Sequence, residues 1–143
     1  MTFLNFGGCL ALMALLTGDS GQQIVATWLN TSGEGKIQIY GQNDRFFGKL
    51  VWLKYPLNEQ GKPKVDHKNP DDNLKSRPLI GLVILKDFEY EGDKKWDDGE
   101  IYDPKSGKTY SCTMTLASED VLEVRGYIGI SLIGRTERWT RVK

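Results

Sequence analysis

EIYDPKSGKTYSCTMTL, residues 100–116, reads as strand, turn, strand, and it decides the fold class. Its centre holds Asp103, Pro104, Ser106 and Gly107. Each is a turn residue for its own reason: Pro fixes φ, Gly permits φ > 0, and Asp and Ser bond nearby backbone. Past the turn, Tyr110, Cys112, Met114 and Leu116 alternate with Thr109, Ser111, Thr113 and Thr115. A period of two with one apolar and one hydroxyl face marks a β-strand. The pattern predicts an antiparallel sheet that is dry on one side and wet on the other.

The same grammar extends in both directions. Residues 25–29 (VATWL) form a first short strand, and NTSGEG (30–35) a polar turn. Residues 36–40 alternate with Ile37 and Ile39 on one face, GQNDR (41–45) turns, and FFGKLVWL (46–53) is a strong strand. In that strand Phe46, Gly48, Leu50 and Trp52 share a face. Residues 54–78 are a polar excursion holding four of the five prolines, too long for a hairpin loop. LIGLVIL (79–85) is a strand apolar on both faces, and EGDKKWDDG (91–99) a charged turn region around Trp96. After the central hairpin come a strand at 121–125, an apolar glycine-punctuated link at 126–134 and a last strand at 135–143. Eight short strands separated by turn residues predict a single all-β domain, an eight-stranded antiparallel up-and-down barrel. A barrel of that size is filled by side chains or holds one small ligand.

At 143 residues the chain is one domain. Such a chain buries roughly two-thirds of its unfolded surface, enough for one core without staples. Nineteen basic residues balance nineteen acidic ones, with a sequence pI of 6.6, which argues against a nucleic-acid partner. Residues 3–16 (FLNFGGCLALMALL) are almost wholly apolar and uncharged, but too short to span a bilayer. They fit the core of a signal peptide over residues 1–20, cleaved before Gly21, leaving a barrel domain at 21–143. The protein is then exported to the periplasm, cell surface or exterior, with no integral membrane span in the mature form. Gly7-Gly8-Cys9 invites lipidation, yet the apolar run should precede a lipidated cysteine and here mostly follows it. With the leader removed, Cys112 stands alone, and its alternation makes it a small buried hydrophobe.

Candidate sites are sparse. Asp66, Asn69, Asp71, Asp72 and Asn73 form an oxygen-rich cluster, but its spacing is not that of a calcium loop, and Asn69-Pro70-Asp71 is a good turn initiator. His67, the one histidine, sits in the same loop; zinc would want three or four nitrogen or sulfur ligands. No metal and no cofactor is therefore expected. Asp97, Asp98, Glu100 and Asp103 could supply paired carboxylates, as any surface turn could. No nucleophile elbow, phosphate loop or dinucleotide fingerprint occurs, and no catalytic residue is assigned.

GKLVWL, NPDDNLKSRPLIGLVIL, IYDPKSGKTY, LEVRGYIGISLIGRT and WTRV follow one another in this order. Together they resemble the signature of DUF2147, a family of uncharacterised exported bacterial proteins, over residues 25–143. The resemblance implies a lipocalin-like, calycin-type barrel. In that architecture a tryptophan of the first strand is covered by a basic residue of the last. Trp28 matches, with Ala26 where glycine is usual; Arg138 and Arg141 are the candidate partners, Arg141 preferred.

The leading functional expectation is non-covalent binding of a small, largely apolar ligand inside the barrel. The lining would be Ile37, Ile39, Leu50, Trp52, Tyr110, Cys112, Met114, Leu122 and Val124. One alternative is an envelope interaction or structural module with a filled barrel. Another is an enzyme working through the loop candidates Asp66, His67, Asn69 and Asp71. The enzyme would need raised pKa values at Asp66 and Asp71 in a cleft. No protein partner is named by the sequence.

Overall fold

In the computed structural model, which describes residues 19–129 and 133–143, each strand pairs antiparallel with the next and the last returns to the first. The strands are β1 (Thr27–Leu29), β2 (Gly35–Gln42), β3 (Arg45–Leu53), β4 (Val83–Gly92), β5 (Lys95–Asp103), β6 (Lys108–Ser118), β7 (Val121–Tyr127) and β8 (Gly134–Arg141). The barrel closes where Trp28 of β1 faces Arg141 of β8. Closure removes the sheet edges that an open antiparallel sheet would expose. Residues 1–18, most of the segment expected to be a signal peptide, and residues 130–132 of the apolar link lie outside the described residues.

The β5–β6 hairpin follows its turn chemistry. Asp103 accepts from the backbone N–H of Lys105 and the hydroxyl of Ser106, and the Gly107 N–H bonds the Asp103 carbonyl at 2.8 Å. Gly107 has φ +74°, and a Cβ there would strike the Lys68 carbonyl. The turn thus packs against the long excursion.

Two boundaries differ from the sequence expectation. The strand expected at 79–85 starts only at Val83 and runs on to Gly92, while Leu79 and Leu82 close a turn around Gly81 at φ +90°. The turn expected across 91–99 shrinks to Asp93 and Lys94, both at positive φ, a tight two-residue hairpin. Trp96, placed in that turn by its charged neighbours, is a fully buried β5 residue.

Bulges explain why the charged neighbours misled. Asp87 (φ 64°) and Asp98 (φ 60°) adopt the left-handed conformation that Asp tolerates. Around Asp87 the pairs run Phe46↔Phe88 then Gly48↔Leu85, so β4 has one residue too many. Around Asp98 they run Trp96↔Met114 then Gly99↔Cys112. Each extra residue shifts the alternation by one, sending acids outward and aromatics inward.

The interior is a continuous cluster that includes Trp28, Trp96, Trp139, Phe46, Phe88 and Met114. Phe88 lies flat against Gly99, where a Cβ would collide with its ring, and Leu85 fills the space beside Gly48 at 2.8 Å from an added Cβ. Side chains of this size contribute about 1.5–3 kcal/mol each when fully buried. The short 3-10 turn Gln22–Ile24 plugs one end: Trp28 Nε1 donates to the Ile24 carbonyl at 3.0 Å and Trp96 Nε1 to the Gly21 carbonyl at 3.2 Å. The longer connections gather at the opposite end, where Ile128 and Ile133 of the apolar link are exposed.

Candidate functional site

The nine residues expected to line a cavity divide in the structure. Ile37, Ile39, Leu50, Cys112, Met114, Leu122 and Val124 point inward and are buried among other core side chains. Tyr110, opposite Ile101 near the end bearing the longer connections, is only partly buried. Trp52 is a correction: it faces out. The pairs Ile37↔Leu50 and Lys36↔Trp52 leave Val51 as an extra residue, and this bulge turns the tryptophan to the outer surface at 37% exposure. Lys36 Nζ sits 4.6 Å from its ring centre. Inside, burial pushes the Cys112 thiol up to about 12, with the negative charges of Asp97 and Glu137 adding to the shift. A thiol so protonated is a packing group rather than a nucleophile.

The polar excursion is anchored by a buried acid. Asp66 is fully buried and Asn69 nearly so, although they lie in the polar excursion. Asp66 accepts from Tyr102 Oη at 2.6 Å, Asn69 Nδ2 at 2.9 Å and Arg77 Nε at 3.0 Å. Arg77 Nη2 completes the ion pair at 3.0 Å. Burial alone would raise the Asp66 pKa, but the bonds from Tyr102, Asn69 and Arg77 and the arginine charge outweigh it and hold the carboxyl below its ordinary value. Tyr102 is driven the other way, to about 12, by burial and by Asp66. The other two loop candidates stay outside: His67 is exposed, and Asp71 caps the short turn Asp72–Leu74 by accepting from Asn73 N at 3.0 Å.

This clasp lays the excursion along the outer barrel wall and shapes two cavities that share Arg77, Val83 and Lys86. The larger, about 570 Å³, is an open groove floored by Tyr40, Phe47, Pro78, Ile80, Leu82 and Val83, with Gln42, Arg77 and Lys86 as its polar groups. Tyr40 and Phe47 are cross-strand partners on β2 and β3, stacked at 5.8 Å and 20°. Their neighbours Ile39 and Phe46 point inward, so both rings belong to the outer face. The smaller cavity, about 190 Å³, lies between the excursion and β4–β6, with Asn69, Glu100, Tyr102 and Thr109 in its wall. Sequence reasoning missed the groove. Its one legible signal was a pair of aromatics, Tyr40 and Phe47, on strand positions whose neighbours demand an outward face.

Two further groupings are structural. Carboxylate oxygens of Glu89, Glu91 and Asp98 lie within 4.8 Å of one another on an exposed patch, and Glu89 is already paired with Arg45 at 2.7 Å. Arg141 stacks over Trp28 at 4.5 Å and donates to the carbonyls of Gln23 (2.9 Å) and Glu119 (2.7 Å). The Arg138 backbone is held from outside by the Thr31 hydroxyl.

Comparison with known proteins agrees with this architecture. A structure described as "Protein HP1028 from the human pathogen Helicobacter pylori belongs to the lipocalin family" superposes with a TM-score of 0.73 over 84% of this chain and 83% of that one, at 23% identity. That likeness shows the fold alone. No curated protein matches the chain. The family model described as "Uncharacterized protein conserved in bacteria (DUF2147)" matches residues 26–141. With nearly the whole barrel covered by that match, the chain belongs to the DUF2147 family.

Proposed function

We propose that this is an exported, non-enzymatic binding protein, and that its ligand is a small molecule with a largely apolar body and an anionic group. The carrying observation is the outer groove of about 570 Å³, within the size range of small-molecule sites. Stacked Tyr40 and Phe47 with Ile80 and Val83 give the body an apolar bed; Arg77 and Lys86 stand where the anion would lie. Lys86 makes no ion pair among the described residues, so its charge is available. Export rests on the apolar run at 3–16.

Binding deep inside the barrel is the weaker form of the reading, because Phe88, Trp96 and Met114 occupy the space a ligand would need. The filled interior favours the barrel as scaffold and the outer wall as the recognition surface. Acid–base catalysis by the loop finds no support at Asp66, whose pKa is lowered rather than raised.

Displacement of a dansyl fatty-acid probe by sodium decanoate tests this. Phe47→Ala and Lys86→Glu are each expected to weaken decanoate binding about tenfold or more, equivalent to roughly 1.4 kcal/mol. Met114→Leu, a volume-conserving interior change, leaves it unaltered. An affinity that follows Met114 and ignores Phe47 and Lys86 would return the ligand to the interior.

A further inference from the structure

The β2–β3 hairpin carries an outer face that the groove does not account for. The Val51 bulge breaks alternation and turns Trp52 to the surface, away from a core that its strand position would otherwise have given it. Three residues on, the chain exposes Tyr55 (55%) and Leu57 (52%) where the excursion leaves the barrel. A small hairpin supports them: Leu57 bridges Pro63, and Asn58 N bonds the Lys62 carbonyl at 2.8 Å. Three large apolar side chains exposed within six consecutive residues are more than the scattered single ones an ordinary surface carries.

Both exposed aromatics have a lysine over or beside them: Lys36 lies 4.6 Å from the Trp52 ring and Lys54 5.5 Å from Tyr55. Lys49, on the same hairpin, lies 5.7 Å from Tyr40 at the edge shared with the groove. None of the three lysines makes an ion pair among the described residues. Residues 35–57 contain four basic residues and one acid, Asp44, which sits at the far end in the β2–β3 turn. Three lysines without an ion pair among the described residues thus stand beside aromatics of this one segment.

We infer that this face docks on an anionic bilayer surface. The residue types match the two components of such a surface. Trp and Tyr settle at the headgroup level with an apolar body and a polar tip. Lysines with long apolar stems follow them in and meet lipid phosphates. A soluble polyanion would use the lysines but gain little from Leu57 or from the outward indole, so the apolar half of the pattern selects the bilayer. The inference does not depend on what fills the neighbouring groove.

Vesicle co-sedimentation tests it, with the full exported domain and vesicles of phosphatidylcholine, alone or mixed equally with phosphatidylglycerol. The protein binds the mixed vesicles and not the neutral ones, and added salt releases it. Trp28, Trp96 and Trp139 are buried, so a blue shift of emission on binding reports Trp52. Trp52→Ser with Tyr55→Ser removes the shift and lowers partitioning at least tenfold. Reversing Lys36, Lys49 and Lys54 to Glu lowers it on the order of 100-fold. All five positions are at the surface, and unchanged melting temperatures separate loss of docking from loss of fold. Equal binding to neutral vesicles, or partitioning that ignores the lysine reversals, overturns the proposal. So does tight binding to dextran sulfate that the Trp52 and Tyr55 changes leave intact, which would make the face a polyanion site.

Discussion

Tyr102 on β5 donates a 2.6 Å hydrogen bond to the fully buried carboxylate of Asp66, and this bond joins the long excursion to the barrel wall. Arg77 and Asn69 complete the clasp from the excursion itself. Both cavities on the outer wall depend on it, since Arg77 lines each of them.

Tyr102→Phe leaves a buried acceptor short of one partner and should cost about 1–3 kcal/mol in urea unfolding at neutral pH. The pH dependence has two arms. The native Asp66 pKa lies below the ordinary 3.8, so its contribution is complete above that value and is lost as pH falls through the lower native one. The native Tyr102 pKa of about 12 lies above the ordinary 10.0, so the protein is stabilised by the neutral phenol below pH 10.0 and loses that stability as pH rises toward 12. Tyr102→Phe should abolish the alkaline loss attributable to this group; an unchanged alkaline profile would contradict the clasp.

Gly99→Ala is expected to destabilise by about 1–3 kcal/mol through overpacking. Its Cβ would enter the Phe88 ring, and the backbone there is already bent by the Asp98 bulge. Gly126→Ala is the control, because its nearest neighbours, at 3.5 and 3.6 Å, leave ordinary contact distance. Equal melting temperatures for the two variants would mean that the interior is looser than described.

Arg141→Ala removes the stack on Trp28 and two hydrogen bonds that tie the closed end together. The expected loss is about 2–4 kcal/mol by thermal or urea unfolding. Arg138→Ala, whose side chain is not part of that closure, should shift stability by less than about 0.5 kcal/mol. Equal losses would show that β1 and β8 are not held as the geometry indicates.

The fold was legible where alternation is unbroken. Tyr110 to Leu116 and Ile37 with Ile39 obey a strict period of two, and the Asp103–Gly107 turn carries its own chemistry. The reading failed where one inserted residue reset the period. Val51, Asp87 and Asp98 each do this, and they account for the outward Trp52, the displaced β4 and the misplaced Trp96. Asp66 was hidden for another reason. A carboxylate in a polar, proline-rich stretch reads as solvated, and only the partner thirty-six residues away reveals its burial. The groove belongs to neither segment alone, being made by Tyr40 and Phe47 on the hairpin and by 77–83 of the strap laid beside them.

Cys112 gives a chemical readout of the interior. Buried and shifted to about 12, its thiol should resist N-ethylmaleimide in the native protein and react on unfolding, read by mass at the peptide carrying it. Labelling at native rates comparable to a free thiol would indicate an open barrel.

The proposed ligand site lies on the outer wall of a filled barrel. Methyl-detected NMR during titration with sodium decanoate below its micelle concentration separates the outer wall from the interior. Methyl signals of Ile80, Leu82 and Val83 should shift saturably, while those of Ile37, Ile39 and Met114 stay in place. Shifts concentrated at Ile37, Ile39 and Met114, with Ile80 and Val83 unmoved, would contradict the claim.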